Sequence, residues 1–286
     1  MFRGTYSISN AIVDLSTVPQ PYVPYPGDGQ DDDDYKNECR NCTVHSGFYA
    51  SWLLTRPLVK PLVKAALAQN PGYELVFVGH SLGGAVAALG ALEFSSIGYS
   101  PHVATFGEPR VGNDAFVRYL DETFSLHNTS TGMGCELDNN NEKSSFRRVT
   151  HVGDPVPLLP LAEWGYRSHA GEVFIEKADL PILTGDIRYC SGDADEGCIA
   201  GTSSISVSTG ILTRYMQHMY TVVSCFGLSW WGDDDDDGGD GDGNGSMWAV
   251  PARFRLWSVL FAHRDYFYRL GLCVPGGDPT GSWGLG

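Results

Sequence analysis

Basic residues are scarce in this chain: 19 Lys and Arg stand against 34 Asp and Glu, for a formal charge of −15. Without a basic stripe to displace counterions from phosphates, a nucleic-acid partner is excluded. Long apolar runs are lacking as well, and none approaches the length a helix needs to span a bilayer. The opening Met1-Phe2-Arg3-Gly4-Thr5 has neither a charged n-region nor an apolar h-region, so no export signal is expected in the chain as it stands. A second C-x-x-C is missing too. The single pair Cys39 and Cys42 therefore reads as a tight disulfide rather than half of a zinc site or a redox motif. Asp240, Asp242, Asn244 and Gly245 match the start of a calcium loop, but Pro251 stands where the bidentate Glu belongs. No metal and no cofactor is expected.

What is present bounds the answer from the other side. Seven cysteines are many for a reduced cytosolic protein and too few for a disulfide-built scaffold. They point to an oxidising compartment, hence secretion, around an ordinary hydrophobic core. Sequons at Asn41, Asn128 and Asn244 are compatible with that. With 286 residues and 42% hydrophobic content the chain can fill one domain, residues 1–286, of α/β type. Much of the negative charge sits in two aspartate runs, 31–34 and 233–237, which read as solvated loops.

The chain is organised around residues 73–97, YELVFVGHSLGGAVAALGALEFSSI. Strand formers Leu75 to Val78 enter a Gly79-His80-Ser81-Leu82-Gly83 turn, and a small-residue helix pattern leaves it. A serine at such a strand–turn–helix junction sits on a strained backbone with its hydroxyl pushed above the sheet edge. The bare G-x-S-x-G pattern arises by chance in roughly one chain in ten of this length; the strand before it and the helix after it make it specific. Ser81 is the candidate nucleophile.

Around that junction the pattern predicts a short amphipathic helix after Tyr6, with Ile8, Ala11, Ile12 and Leu15 on one face. Two helical pieces are expected over 45–70, because Pro57 and Pro61 each remove a backbone donor. A buried strand is expected at His102–Phe106, a helix at Gly112–Phe124 and a strand at Phe146–Val152. Polar residues 127–145 read as a surface loop, and about 202–256 as an insertion. Cys190 and Cys198 could form a local bridge.

The strand ending at Val152 runs into Gly153-Asp154-Pro155. An aspartate just past a strand's carboxyl end can orient a histidine from the same rim as Ser81; Asp179 and Asp186 are rivals with less support. His263 follows late in the chain, and Ser81, Asp154, His263 is the α/β-hydrolase triad order. Among the other histidines, His80 adjoins the nucleophile and is expected to point elsewhere. His151 and His169 come too early, and His218 falls in the expected insertion.

By this point FRGT, the C-x-x-C before HSGF, VGHSLGGA, TFGEPRVGN, RVTHVGDPVPLLP, GYRSHAGEVF and AHRDYF have accumulated in one order. Together they resemble the fungal class 3 lipases, secreted triacylglycerol lipases with related feruloyl esterases, from Phe2 to Cys273 apart from the two loops. The resemblance implies an α/β-hydrolase fold, a mostly parallel central sheet with helices on both faces. It implies Ser81 as nucleophile, Asp154 as orienter and His263 as base, with an oxyanion hole at Thr5 and the N–H of Leu82. It makes the helix at about 6–16 a lid, presenting Ile8, Ile12 and Leu15 to a lipid–water interface, and lipid esters the substrate. The alternatives are a feruloyl or other carboxylic esterase and an inactive truncated fragment. Family members carry strands before FRG, so an N-terminally truncated chain is expected, and the partner of Cys273 is expected in that region.

Overall fold

The computed structural model describes residues 39–126, 145–202 and 262–269, with the backbone of 22–24. Thr5, the segment at about 6–16 with Ile8, Ile12 and Leu15, residues 127–144 and 203–256, and Cys273 lie outside the described residues.

Two sheets organise the described part. The first runs β3 (Val76–His80), β4 (His102–Phe106), β6 (Phe146–His151), β8 (Glu172–Ile175) and β9 (Ile187–Tyr189) in that order. Its first four strands are parallel, and β9 closes it antiparallel to β8. The parallel register carries the site: His80 lies level with Phe106, and Phe106 with Val149, so the ends of β3, β4 and β6 form one rim.

The second sheet, β1 (Tyr22–Pro24), β2 (Thr43–His45), β5 (Gly112–Asn113) and β7 (Tyr166–Arg167), is antiparallel throughout. Strands of two or three residues carry too little alternation to be read from sequence. Gly112 in β5 is forced by close approach, since a Cβ there would lie 2.5 Å from the Thr43 carbonyl.

Helix α1 (Ser46–Gln69) follows β2 as one continuous helix with Pro57 and Pro61 inside it, correcting the expected two pieces. The physical reason lies in their placement. Both prolines, and Leu53 whose carbonyl Pro57 leaves unbonded, are exposed on one side, where water can satisfy what the missing N–H groups would have bonded. Its N-cap is His45, whose Nδ1 accepts from the Gly47 and Phe48 N–H groups at 3.0 and 3.3 Å. Helix α2 (Leu82–Ser96) packs on β3 and β4, and α1 packs on α2. Gly90 makes that last contact possible: a Cβ there would meet Phe77 at 2.9 Å and Trp52 at 3.0 Å. Helix α3 (Asp114–Thr123) starts two residues later than expected because Asn113 caps it, its Oδ1 accepting from Phe116 N–H. A short α4 (Ile199–Thr202) presents the N–H groups of Ile199 and Ala200 to the buried Glu172, which also holds Arg148 and Thr150.

The main core runs from Val44, Phe48 and Trp52 through the small residues of α2 to Phe116, Leu120 and Phe146. A smaller cluster, Val149, Val173, Ile175 and Tyr266, lies under the far side of the rim. Disulfides join Cys39 to Cys42 and Cys190 to Cys198, as the spacing suggests.

Candidate active site

Ser81 is placed by the turn between β3 and α2. Its φ of 58° lies in the left-handed region, where a non-glycine residue is strained and persists only when its surroundings hold it. Two observations account for the hold. The Ser81 N–H donates to Phe106 O on the neighbouring strand at 2.9 Å, and Ser81 O accepts from Gly84 N–H at 2.8 Å. Gly79 is obligatory, since a Cβ there would lie 2.2 Å from Gly83 O, and Gly84 brings α2 against Glu108, 3.1 Å from where its Cβ would stand. Leu82 is the first residue of α2, so its N–H is one of the helix's unbonded amino-terminal donors and lies beside the serine.

Asp154 follows β6 and is fully buried with His263. The His263 Nδ1–H donates to its carboxylate at 2.9 Å. Tyr266 O–H donates to the same oxygen at 2.6 Å, and Val156 N–H to the other at 3.0 Å. Burial alone would push the Asp154 carboxyl up; the His263 charge opposes it, and the bonds from His263, Tyr266 and Val156 add to that. The outcome lies below the usual carboxylate range. Burial, with the Asp154 charge next to it, pushes the Tyr266 phenol well above its ordinary value, so it stays a donor.

Because Nδ1–H is committed to Asp154, neutral His263 keeps its lone pair on Nε2. That atom is buried with no hydrogen-bond partner among the described residues. A buried imidazole nitrogen left open is what a general base awaiting a proton requires. Gly107, at the end of β4, clears the space beside the Cε1–Nδ1 edge of the His263 ring. Its φ is +59°, and a Cβ there would fall 2.7 Å from the Tyr266 hydroxyl and 2.8 Å from His263 Cε1.

The structure thus brings Ser81, Leu82, Asp154 and His263 to one rim, while Thr5 and the three apolar positions of the expected lid are outside the described residues. Asp186 serves a local turn, accepting from Leu183 N–H at 2.8 Å, and Asp179 is at the surface. His80, expected to point elsewhere, reaches the main-chain carbonyl of His263 at 2.7 Å. Gly107 and Tyr266 were also missed. The TFGEPR and AHRDYF blocks held both, but nothing in spacing says that a tyrosine three residues past the histidine turns back to the aspartate. Among the described residues no group of three potential metal ligands occurs, and no helix is long and apolar enough to cross a membrane.

Comparison with known proteins follows the same lines. The family described as Lipase (class 3) matches residues 1–164. A secreted mono- and diacylglycerol lipase 2 of Gibberella zeae is 50% identical over 291 residues, covering 100% of this chain and 64% of its own length. Lipase A of Sodiomyces alcalophilus is 48% identical over 293 residues, covering 99% and 64%. The chain therefore spans just under two thirds of these relatives. Among solved structures, the nonglycosylated LIP2 lipase of Yarrowia lipolytica superposes with a TM-score of 0.58 at 29% identity, over 72% of this chain and 67% of that one. A mutant form of MDLA from Penicillium cyclopium gives 0.54 at 34%, over 70% and 62%. With the parallel rim and the strained turn, these likenesses identify the fold as that of the α/β-hydrolases, and the chain belongs to the class 3 lipase family.

Proposed function

We propose that this chain is a serine ester hydrolase acting on acylglycerols, with Ser81 as nucleophile, His263 as general base and Asp154 as its orienter. The single observation that carries the reading is the buried Asp154–His263 pair with Nε2 left open, on the rim where β3 ends in the strained Ser81 turn. Ser81 Oγ attacks the ester carbonyl carbon as His263 Nε2 takes its proton. The tetrahedral oxyanion is met by the Leu82 N–H and by Thr5, and one such donor contributes about 3 kcal/mol to the transition state. His263 then gives the proton to the departing glycerol oxygen; water, deprotonated in turn by His263, attacks the acyl-enzyme, and the fatty acid leaves as His263 returns that proton to Ser81 Oγ. Neither a metal nor an organic cofactor enters these steps.

Residues 1–286 act as one domain in this reading, with insertions at about 127–145 and 202–256. The helix at about 6–16 serves as lid: exposing Ile8, Ile12 and Leu15 to water is unfavourable by roughly 25 cal/mol per Å², so opening is favoured at a lipid surface. Secretion fits the two disulfides and the secreted relatives. The family resemblance implies triacylglycerols, whereas the Gibberella relative is named for mono- and diacylglycerols; emulsified lipid ester is common to both.

The test is titration of fatty acid released from mono-, di- and triacylglycerol emulsions and from a short soluble ester, by wild type and Ser81→Ala. Release that rises at the emulsion and vanishes in the variant is expected. Activity confined to the soluble ester, or undiminished in Ser81→Ala, would overturn the reading.

A further inference from the structure

We infer that His80 is a positioning residue: its Nε2–H, donated to the main-chain carbonyl of His263, locks the base's backbone to the strand end that carries the nucleophile. The inference rests on the triad reading above and deepens it.

A carbonyl oxygen can only accept, so the 2.7 Å contact fixes the hydrogen on His80 Nε2. The two rings lie 4.6 Å apart at 38°, so the bond is backed by ring contact. Asp154 orients the His263 ring through Nδ1, but it does not by itself fix the Cα from which that ring hangs. His80 does, and it is joined by one peptide bond to Ser81. Nucleophile and base come from positions 182 residues apart, and this side chain connects their backbones directly. Burial, and then the adjacent His263 charge, lower the His80 pKa to about 4. It therefore stays neutral while His263 becomes an imidazolium, and no second cation faces the transition state. Nothing in the reaction uses His80 as an acid or base, which leaves the hydrogen bond as its contribution.

Glutamine and asparagine separate this role from packing. The Gln amide nitrogen reaches about as far as Nε2, whereas the Asn nitrogen stops near Nδ1, short of the carbonyl. His80→Gln is expected to keep kcat within about threefold of wild type, and His80→Asn to lose about 100-fold in kcat with KM unchanged, as for a base displaced by about 1 Å. Equal kcat in the two variants, or a loss confined to KM, would overturn the inference. Nitrogen-15 NMR of the wild-type ring gives a readout independent of turnover and of whether the Asn variant folds. A slowly exchanging Nε2–H is expected, and an Nδ1–H tautomer would contradict it. If wild type fails to hydrolyse any ester, the lipase reading falls, and the tautomer alone decides the anchor.

Discussion

Helices α1 and α2 pack against each other yet are built on opposite rules. In α2 nearly every side chain is buried, from Gly83 through Ser96, and small residues let the helix sit close on β3 and β4 beneath the nucleophile. In α1, 24 residues long, the buried side chains are Phe48, Tyr49 and Trp52, all in the first two turns. Beyond them Leu54, Leu58 and Leu62 stand about 70% exposed at four-residue spacing. Beside the Trp52 contact at Gly90, what ties α1 to α2 is polar. Buried Glu93 accepts from Trp52 Nε1 at 2.8 Å and from Arg56 Nε at 2.7 Å, with Lys60 Nζ at 3.0 Å. The contrast teaches where rigidity is concentrated: a close-packed helix fixes the serine's turn, and the outer helix is pinned at one end.

Substitutions should therefore be costly at the rim, intermediate at the pin and nearly silent on the outer face of α1. At the rim, Asp154→Asn would leave the His263 ring without its carboxylate and favour the wrong tautomer. A loss of about 10⁴-fold in kcat is expected, by analogy with the general triad; steady-state kinetics would check it. Gly107→Ala sets a methyl into Tyr266 and His263 at a left-handed φ, so it should reduce activity by at least about 100-fold and lower the thermal midpoint, which calorimetry would check.

At the pin, Glu93→Ala removes the acceptor shared by Trp52, Arg56 and Lys60. Denaturant titration should show a loss of about 3 kcal/mol. The cations are partly exposed and can turn to water, which limits the cost. A loss under about 0.5 kcal/mol, within the range of surface substitutions, would mean that α1 is not pinned there.

Acid sharpens the comparison from a third side. Burial lowers His45, the N-cap of α1, and His80, at the end of β3, from 6.5 to about 4. A histidine with a depressed folded value binds its proton more readily unfolded, so stability rises with pH across this window. It should be full above about 6.5, fall as pH is lowered and level off below about 4, with each histidine contributing about 3 kcal/mol. Melts of His45→Asn, whose shorter side chain can still cap α1, should be less pH-dependent than wild type between these limits. Asp154, held below the ordinary carboxylate range, loses its contribution only at still lower pH. The smallest effect belongs to Leu58→Ser, within about 0.5 kcal/mol and without change in activity.

These features differ in how far the sequence discloses them. His102–Phe106 is readable as a strand at its observed bounds because a short apolar run between a proline and a glycine has few other conformations. The Ser81 turn and the order Ser81, Asp154, His263 are legible because glycine spacing and chain order are properties of sequence. Side-chain reach is not. His80 turning to the His263 carbonyl, Tyr266 to Asp154 and Gly107 clearing room for Tyr266 and the His263 ring depend on contacts between residues distant in the chain. Proline statistics likewise misplace a break in α1, since they take no account of which face meets water.

The central claim is that Ser81 is an activated nucleophile. The most direct measurement is reaction of the folded full chain with a fluorophosphonate probe, followed by mapping of the modified peptide and repeated with Asp154→Asn and Ser81→Ala. One phosphonylated site at Ser81, formed far more slowly in Asp154→Asn and absent in Ser81→Ala, is the expected result. A folded wild-type chain that does not react, or reacts elsewhere, would contradict it.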